Sequence, residues 1–329
     1  MKTLTLGKTG PKVSAIGLGA MGMSDFYGEA DRAESLATIA AAVDAGITLI
    51  DTGDFYGMGH NEMLIGEALK TLPRDKLVLS VKFGAQRGPD SAFLGFDARP
   101  VAVKTAVAYT LKRLGVDYID VYRPARLDST VPIEDTVGAI ADLIKAGYVR
   151  HVGLSEVGSE TIRRAAAVHP IADLQIEYSL ISRGIEASIL PTCRELGIGV
   201  TAYGVLARGL ISGHAVSVDK AGDFRGHSPR FQGENLQKNL QLTENLRKAA
   251  EGLGLTPAQA AIAWVAAQGD DIIPLVGARR RDRLAEALGA ASANLTPQAI
   301  AALEQAVPKD AAAGDRYPAM QMAMLDSER

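Results

Sequence analysis

A single cysteine, Cys193, occurs among 329 residues, so no intrachain disulfide can staple the chain. It lies in Leu190-Pro191-Thr192-Cys193, a helical stretch, where a thiol reads as small packing rather than as a nucleophile. Aromatics make up only 5% of the residues and never interleave with a Lys/Arg stripe. With 35 basic and 38 acidic side chains the formal charge is −3, which leaves a nucleic-acid backbone without a counterpart. No stretch offers the roughly 18 apolar residues of a membrane span, and the first eight residues lack the apolar core of a signal peptide. The five histidines, His60, His151, His169, His214 and His227, have no metal-type spacing. These absences predict a soluble, cytoplasmic protein with no metal, nucleic-acid or membrane partner, and they leave the oligomeric state unread.

What is present is a globular balance, 47% hydrophobic against 22% charged, so disorder is excluded for most of the length. Short apolar or β-branched runs alternate with amphipathic stretches from one end to the other, the pattern of parallel βα units. Strands are predicted over 15–21, 48–51, 77–82, 118–122, 151–155, 174–178, 199–203 and 272–277. Helices are predicted over 31–45, 61–72, 100–114, 133–146, 159–168, 186–196 and 280–290. Eight strand–helix units predict an α/β fold, the (β/α)8 TIM barrel. Residues 3–14 read as an N-terminal β-hairpin plugging the barrel's N-terminal mouth. A long insertion between strands 7 and 8, from Leu206 to Asp271, holds a polar loop and two helices over 236–252 and 256–268. No boundary is visible, so residues 1–329 read as one barrel domain, with a C-terminal helix and tail, about 296–329, packed on it.

Gly17-Leu18-Gly19-Ala20-Met21-Gly22 matches a dinucleotide-binding fingerprint. Its helix should start inside the motif, whereas here it starts near Asp31, and the nearest strand-ending acid, Asp51, comes about thirty rather than about twenty residues on. The glycines instead read as close backbone approach at a barrel mouth. Two polar clusters end neighbouring strands: Asp51-Thr52-Gly53-Asp54-Phe55-Tyr56-Gly57 and Val81-Lys82. Barrel sites assemble at those ends. Lys82 and Asp51 fit either a structural ion pair or a site that lowers the phenol pKa of Tyr56 to give a general acid; Tyr56 fits either that acid or a rim aromatic.

The run from Asp51 through Tyr56, Asn61, Glu62, Gly66 and Leu69 resembles the signature of the aldo-keto reductases. So do Ser80-Val81-Lys82, Gly153-Leu154-Ser155-Glu156, Gln175-Ile176-Glu177-Tyr178-Ser179, Tyr203 through Gly209, and Ser228-Pro229-Arg230-Phe231. The similarity runs from Leu4 to about Val307, in order, and implies the same barrel. It implies an NADPH/NADP+-dependent reductase of small aldehydes or ketones, with Tyr56 as general acid and Lys82 and Asp51 tuning it. Ser155 and Gln175 would hold the nicotinamide carboxamide, with Glu156 where the family commonly has asparagine, and Tyr203 would stack on the ring. Gly19, Met21, Asp51, Leu206, Arg208, Gly209 and Gly277 complete the implied cofactor surface. Arg279 and Arg283, at a helix start, would clasp the 2′-phosphate, and Glu286 would face the adenine.

One position departs from the resemblance. The histidine that usually ends strand four is Ala125 here, in Asp120-Val121-Tyr122-Arg123-Pro124-Ala125-Arg126. Loss of an oriented donor costs on the order of 10² to 10³ in rate, which predicts a slow or retuned enzyme. Arg123 shares the inward face with Ala125, about 7 Å away. It either reaches past Ala125 toward Tyr56 and the substrate oxygen, or pairs with a barrel carboxylate such as Asp51 or Glu177. Phe26, Tyr27, Arg123, Ala125 and Arg126 are expected to line the substrate pocket. A slow barrel that binds NADPH also fits a second reading, a redox-sensing or regulatory subunit, with the Met-containing tail as its contact surface.

Overall fold

The computed structural model describes residues 1–218 and 222–329. A short antiparallel hairpin opens it, β1 (Thr3–Thr5) against β2 (Lys12–Ser14). Its Leu6 and Val13 are buried against Leu49, Val78, Val121 and Ile273, inward-facing residues of four barrel strands, so the hairpin plugs the N-terminal mouth as expected.

Eight parallel strands then close on themselves: β3 (Gly17–Gly19), β4 (Leu49–Gly53), β5 (Val78–Phe83), β8 (Ile119–Pro124), β9 (Val149–Ser155), β10 (Ile171–Glu177), β11 (Gly199–Tyr203) and β12 (Ile272–Gly277), which returns to pair with β3. Every residue of β4, β5 and β10 is buried, which is why these segments read as continuous apolar runs punctuated by the polar groups that function needs. The helices α1 (Arg32–Asp44), α2 (His60–Leu69), α3 (Pro100–Leu114), α4 (Ile133–Lys145), α5 (Ser159–Val168) and α6 (Ile189–Leu196) surround the first six barrel strands. Between β11 and β12 the insertion carries α7 (Gly233–Glu251) and α8 (Pro257–Ala266); α9 (Arg281–Gly289) and α10 (Pro297–Ala306) follow β12.

Local signals explain the boundaries. Asp31 caps α1 by accepting from the Glu34 amide at 2.7 Å, and Thr256 with Gln259 forms a reciprocal capping box on α8, with Pro257 in its first turn. Gly197 ends α6 at φ 70°, and the Lys8 side chain lies where its Cβ would be. No described helix is long and apolar enough to cross a membrane.

The structure corrects four details. The first barrel strand is only Gly17–Gly19, because the chain turns at Met21–Met23. The fourth runs on to Pro124, which puts Arg123 inside the sheet. An unexpected hairpin, β6 (Ala85–Arg87) with β7 (Phe93–Phe96), follows β5, around the turn residues Gly88-Pro89-Asp90. Finally, the tail holds an unexpected short helix, α11 (Ala319–Met322), in a segment tied to Glu156 and Tyr203 at the barrel's C-terminal face.

Candidate active site

The turn after β4 builds the centre of the site. Gly57, Met58 and Gly59 all have positive φ, a conformation that turns the chain sharply enough to leave Tyr56 buried under the loop, at 6% exposure. Asn61 fastens this turn to the loop after β3. Its amide donates to the Ala20 carbonyl (2.9 Å) and to Ser24 Oγ (2.7 Å), and its oxygen accepts from Thr52 Oγ1 (2.6 Å). Phe55 and Phe26 pack edge-on against the Tyr56 ring, with centroids 4.7 and 6.0 Å away. Phe26, Tyr27 and Phe224 form one aromatic cluster, so the loop after β3 meets the insertion over the mouth.

Below Tyr56 lies the expected ion pair. Asp51 accepts from Lys82 Nζ on one oxygen, and from Ser80 Oγ (2.6 Å) and Gln175 Nε2 (2.7 Å) on the other. Lys82 Nζ is 5.2 Å from the centre of the Tyr56 ring. The electrostatics run opposite to the expected direction. Burial first, and then the charge of Asp51, hold the Tyr56 phenol well above its ordinary value, while Arg126 pulls the other way. Burial lowers Lys82 despite its carboxylate partner. Asp51 takes up the ammonium's field, so the phenol stays protonated and able to donate.

Arg123 is not at the mouth. It is wholly buried, with Nη2 2.9 Å from Asp173 Oδ1 and 3.0 Å from Ser80 Oγ. It pairs with a barrel carboxylate, as one alternative expected, but that carboxylate is neither Asp51 nor Glu177; the extra strand length sends the side chain down into the interior. Ala125 is buried at the strand end, and Arg126 is the guanidinium that reaches the site. Its Nη1 donates to the Ala125 carbonyl at 2.6 Å and lies 3.5 Å from Ser155 Oγ.

The remaining expected residues fall into two groups. Gly19, Ser155, Tyr203 and Gly277 end barrel strands on the same face, Gln175 lies two residues before the end of β10 in register with Ser155, and Met21 sits in the turn after β3. Leu206, Arg208 and Gly209 form the strained turn after β11, Arg208 at φ 58°, with its guanidinium on Glu177 at 2.8 Å. At the start of α9, Arg279 donates to the carbonyls of Tyr27, Gly28 and Glu29 at 3.1–3.3 Å, and Arg283 contacts Glu286 and His214. Gly17 explains part of the glycine motif, since a Cβ there would lie 2.9 Å from Leu49 Cδ2. Among the described residues no group of three or more His, Cys, Asp or Glu is placed to hold a metal ion. Burial pushes the Cys193 thiol up to about 12, consistent with its packing role.

The tail was expected on the barrel, but not that two of its residues, Arg316 and Tyr317, reach the site. Arg316 lies across Glu156 (2.7 Å) and Glu177 (3.3 Å), and the Tyr317 hydroxyl is 2.9 Å from that of Tyr203. The available signal was Glu177, a carboxylate ending a buried strand, which must find cations.

With this geometry in view, comparison with known proteins is direct. A family model described as the aldo/keto reductase family matches residues 15–308. The chain is 42% identical to the probable aldo-keto reductase 1 of Glycine max over 322 residues, covering 96% of this chain and 92% of that one. Among solved structures it is similar to the glycerol dehydrogenase of Gluconobacter oxydans, with TM-score 0.84, 30% identity, and 92% and 94% of the two chains covered. It is also similar to an aldo-keto reductase of Bacillus halodurans in its holo form, with TM-score 0.78, 25% identity, and 93% and 96% covered. A closed eight-stranded barrel, a buried Asp–Lys pair under a tyrosine at its C-terminal face and a match along nearly the whole chain lead to one conclusion: the protein belongs to the aldo/keto reductase family.

Proposed function

We propose that the protein reduces the carbonyl group of a small aldehyde or ketone with NADPH, Tyr56 delivering the proton. The observation that carries this reading is the Tyr56 phenol, buried beside the Asp51–Lys82 pair with Lys82 Nζ 5.2 Å from its ring centre. NADPH, when bound, supplies the hydride to the carbonyl carbon. The Tyr56 hydroxyl donates its proton to the carbonyl oxygen, and the phenolate left behind is stabilised by the charge of Arg126, with Lys82 and Asp51 positioned beside the ring. Phe26, Phe55 and Tyr27 keep water from the reacting oxygen. Burial keeps the phenol in its protonated form at neutral pH, so the proton that the reduction consumes is in place, while the charge of Arg126 offsets part of the cost of releasing it.

The residues present fit the cofactor's anionic end. Arg279, Arg280, Arg281 and Arg283 surround the start of α9, which has no side-chain cap, and Gly277 has no neighbour within contact distance of a Cβ except the Gly19 carbonyl at 4.0 Å. Arg279 and Arg283 would hold the 2′-phosphate, and Ser155 and Gln175 the carboxamide.

The test is a titration of NADPH into the purified protein, followed by NADPH oxidation with an aromatic aldehyde, a diketone and a ketosugar. Tyr56→Phe is expected to keep NADPH binding and to lose about 10² to 10⁴ in turnover. Full turnover in Tyr56→Phe would overturn the proposal.

A further inference from the structure

The structure assigns Glu156 to the chain's own C-terminal segment rather than to the cofactor: we propose that Glu156 is the dock for Arg316, a positioning residue, and that this dock sets Tyr317 as a wall of the substrate pocket that determines specificity. The specificity half rests on the reductase reading above.

A carboxylate offers about four lone-pair sites. Glu156 Oε1 already accepts from the Glu177 amide (2.9 Å), the Tyr203 hydroxyl (2.7 Å) and Arg316 Nη1 (3.0 Å). Its Oε2 accepts from Arg316 Nη2 and Ser327 Oγ, both at 2.7 Å. Five donors leave no place for a carboxamide N–H. Glu156 also holds φ 52°, a left-handed backbone that a non-glycine residue adopts at a cost. Arginine is suited to such a dock because its planar fork meets a carboxylate with two parallel bonds.

The dock fixes the residues around it. Arg316 is 7% exposed, and its carbonyl accepts from Arg208 Nη1 (3.0 Å) and Ser228 Oγ (3.2 Å). Further along, Asp326 accepts from the Gly158 amide at 2.8 Å, and Leu325 is buried. Between these anchors Tyr317 is placed under the Arg208 guanidinium, 4.4 Å from its ring centre. Tyr203 spends its only hydroxyl proton on Glu156, so Tyr317 donates to Tyr203. One carboxylate thereby orients two phenols in series, and the second stands over the C-terminal face beside Tyr203, the last residue of β11, and against Arg208 in the turn that follows it.

The seat is electrostatic. Beneath the segment is a cleft of about 450 Å³, lined in part by Glu177, Arg230, Asp315, Arg316 and Glu328. Substitution of the charges should therefore free the segment without collapsing an apolar core.

The dock is tested without activity by a double-mutant cycle in Tm over Glu156→Gln, Arg316→Met and the pair. Coupled partners give a double variant no less stable than the worse single one, whereas additive losses overturn the dock. NADPH titration separates the roles: both single variants are expected to keep Kd within about threefold. A tenfold or greater loss in Glu156→Gln alone would return Glu156 to the cofactor. Specificity is read as kcat/KM for a bulky aromatic ketone relative to a two-carbon aldehyde. Tyr317→Ala and Arg316→Met are both expected to raise that ratio about tenfold, through KM, because a wall has been removed. An unchanged ratio overturns the pocket role, and tighter NADPH binding with an unchanged ratio would make the segment a cofactor gate instead. Full turnover in Tyr56→Phe sinks the reductase reading while the Tm cycle still decides the dock.

Discussion

Two cation–aspartate pairs lie side by side in the barrel interior, and the proposed chemistry uses only one of them. Lys82 and Arg123 are register partners on β5 and β8, and Ser80 joins their networks by donating to Asp51 and accepting from Arg123. Both pairs are almost completely buried. In the Lys82–Asp51 pair the carboxylate is fully engaged and a phenol sits above the ammonium. In the Arg123–Asp173 pair the carboxylate takes a bond from Thr201 Oγ1, and Arg123 Nε and Nη1 have no hydrogen-bond partner among the described residues. Burial raises the Asp173 pKa even beside a guanidinium, the mark of a pair held by packing against its own desolvation. A charge in a barrel strand is therefore not a site marker. What stands over it decides.

Substitutions at the two pairs separate their roles. The largest effect is expected from Lys82→Met, with turnover down about 10² to 10⁴ and circular dichroism still native. Next comes Arg123→Met, which strands Asp173 and should cost about 3–5 kcal/mol in urea unfolding, with near-normal turnover per folded molecule. Turnover lost with stability intact would reverse the roles of the pairs. Adding Asp173→Leu should recover most of that loss, since an apolar pair replaces an ionic one.

Gly153→Ala probes the same sealed pair more gently. Its Cβ would fall 2.7 Å from Asp173 Oδ1 and 2.8 Å from Arg123 Nε, so a loss of about 1–3 kcal/mol is expected, without a change in KM. Asp54 gives an effect confined to one side of the pH range. Burial first, then the neighbouring charge of Glu62, push its carboxyl up to about 7. A raised carboxyl favours the protonated folded state, so its contribution to stability is full below about pH 4 and is lost as pH rises through about 7. Asp54→Asn should leave Tm unchanged near pH 4 and raise it near pH 8, flattening the profile; equal shifts at both pH values would contradict this.

Local order made most of the molecule readable. Asp51, Tyr56 and Asn61 lie within a few residues of one another, and a strand end fixes where each must point. Lys82 was readable because a lysine ending a buried strand needs a carboxylate at the same height. Arg123 carried an equally clear demand, yet Asp173 sits inside a strand two barrel positions away, and no local pattern names it. The direction of the Tyr56 shift was misjudged because the sequence displays charges but not the desolvation that outweighs them. Arg316 and Tyr317 were passed over for a further reason: their partners Glu156 and Tyr203 lie far back in the chain, and the segment has no periodicity to flag it as folded. The β6–β7 hairpin had its turn residues on display and needed only that Gly88-Pro89-Asp90 be given weight.

The barrel closes where its last strand meets its first, Leu275 beside Gly17 and Gly277 beside Gly19, and Arg279 reaches from that seam to the carbonyls of Tyr27, Gly28 and Glu29. Such a seam is the pairing with the greatest separation along the chain, the one whose loop-closure entropy is highest. A ligand gripped by α9 on one side and the loop after β3 on the other acts there as a noncovalent crosslink. At a hundred times its Kd it would add about 2.7 kcal/mol to the whole fold, by mass action alone.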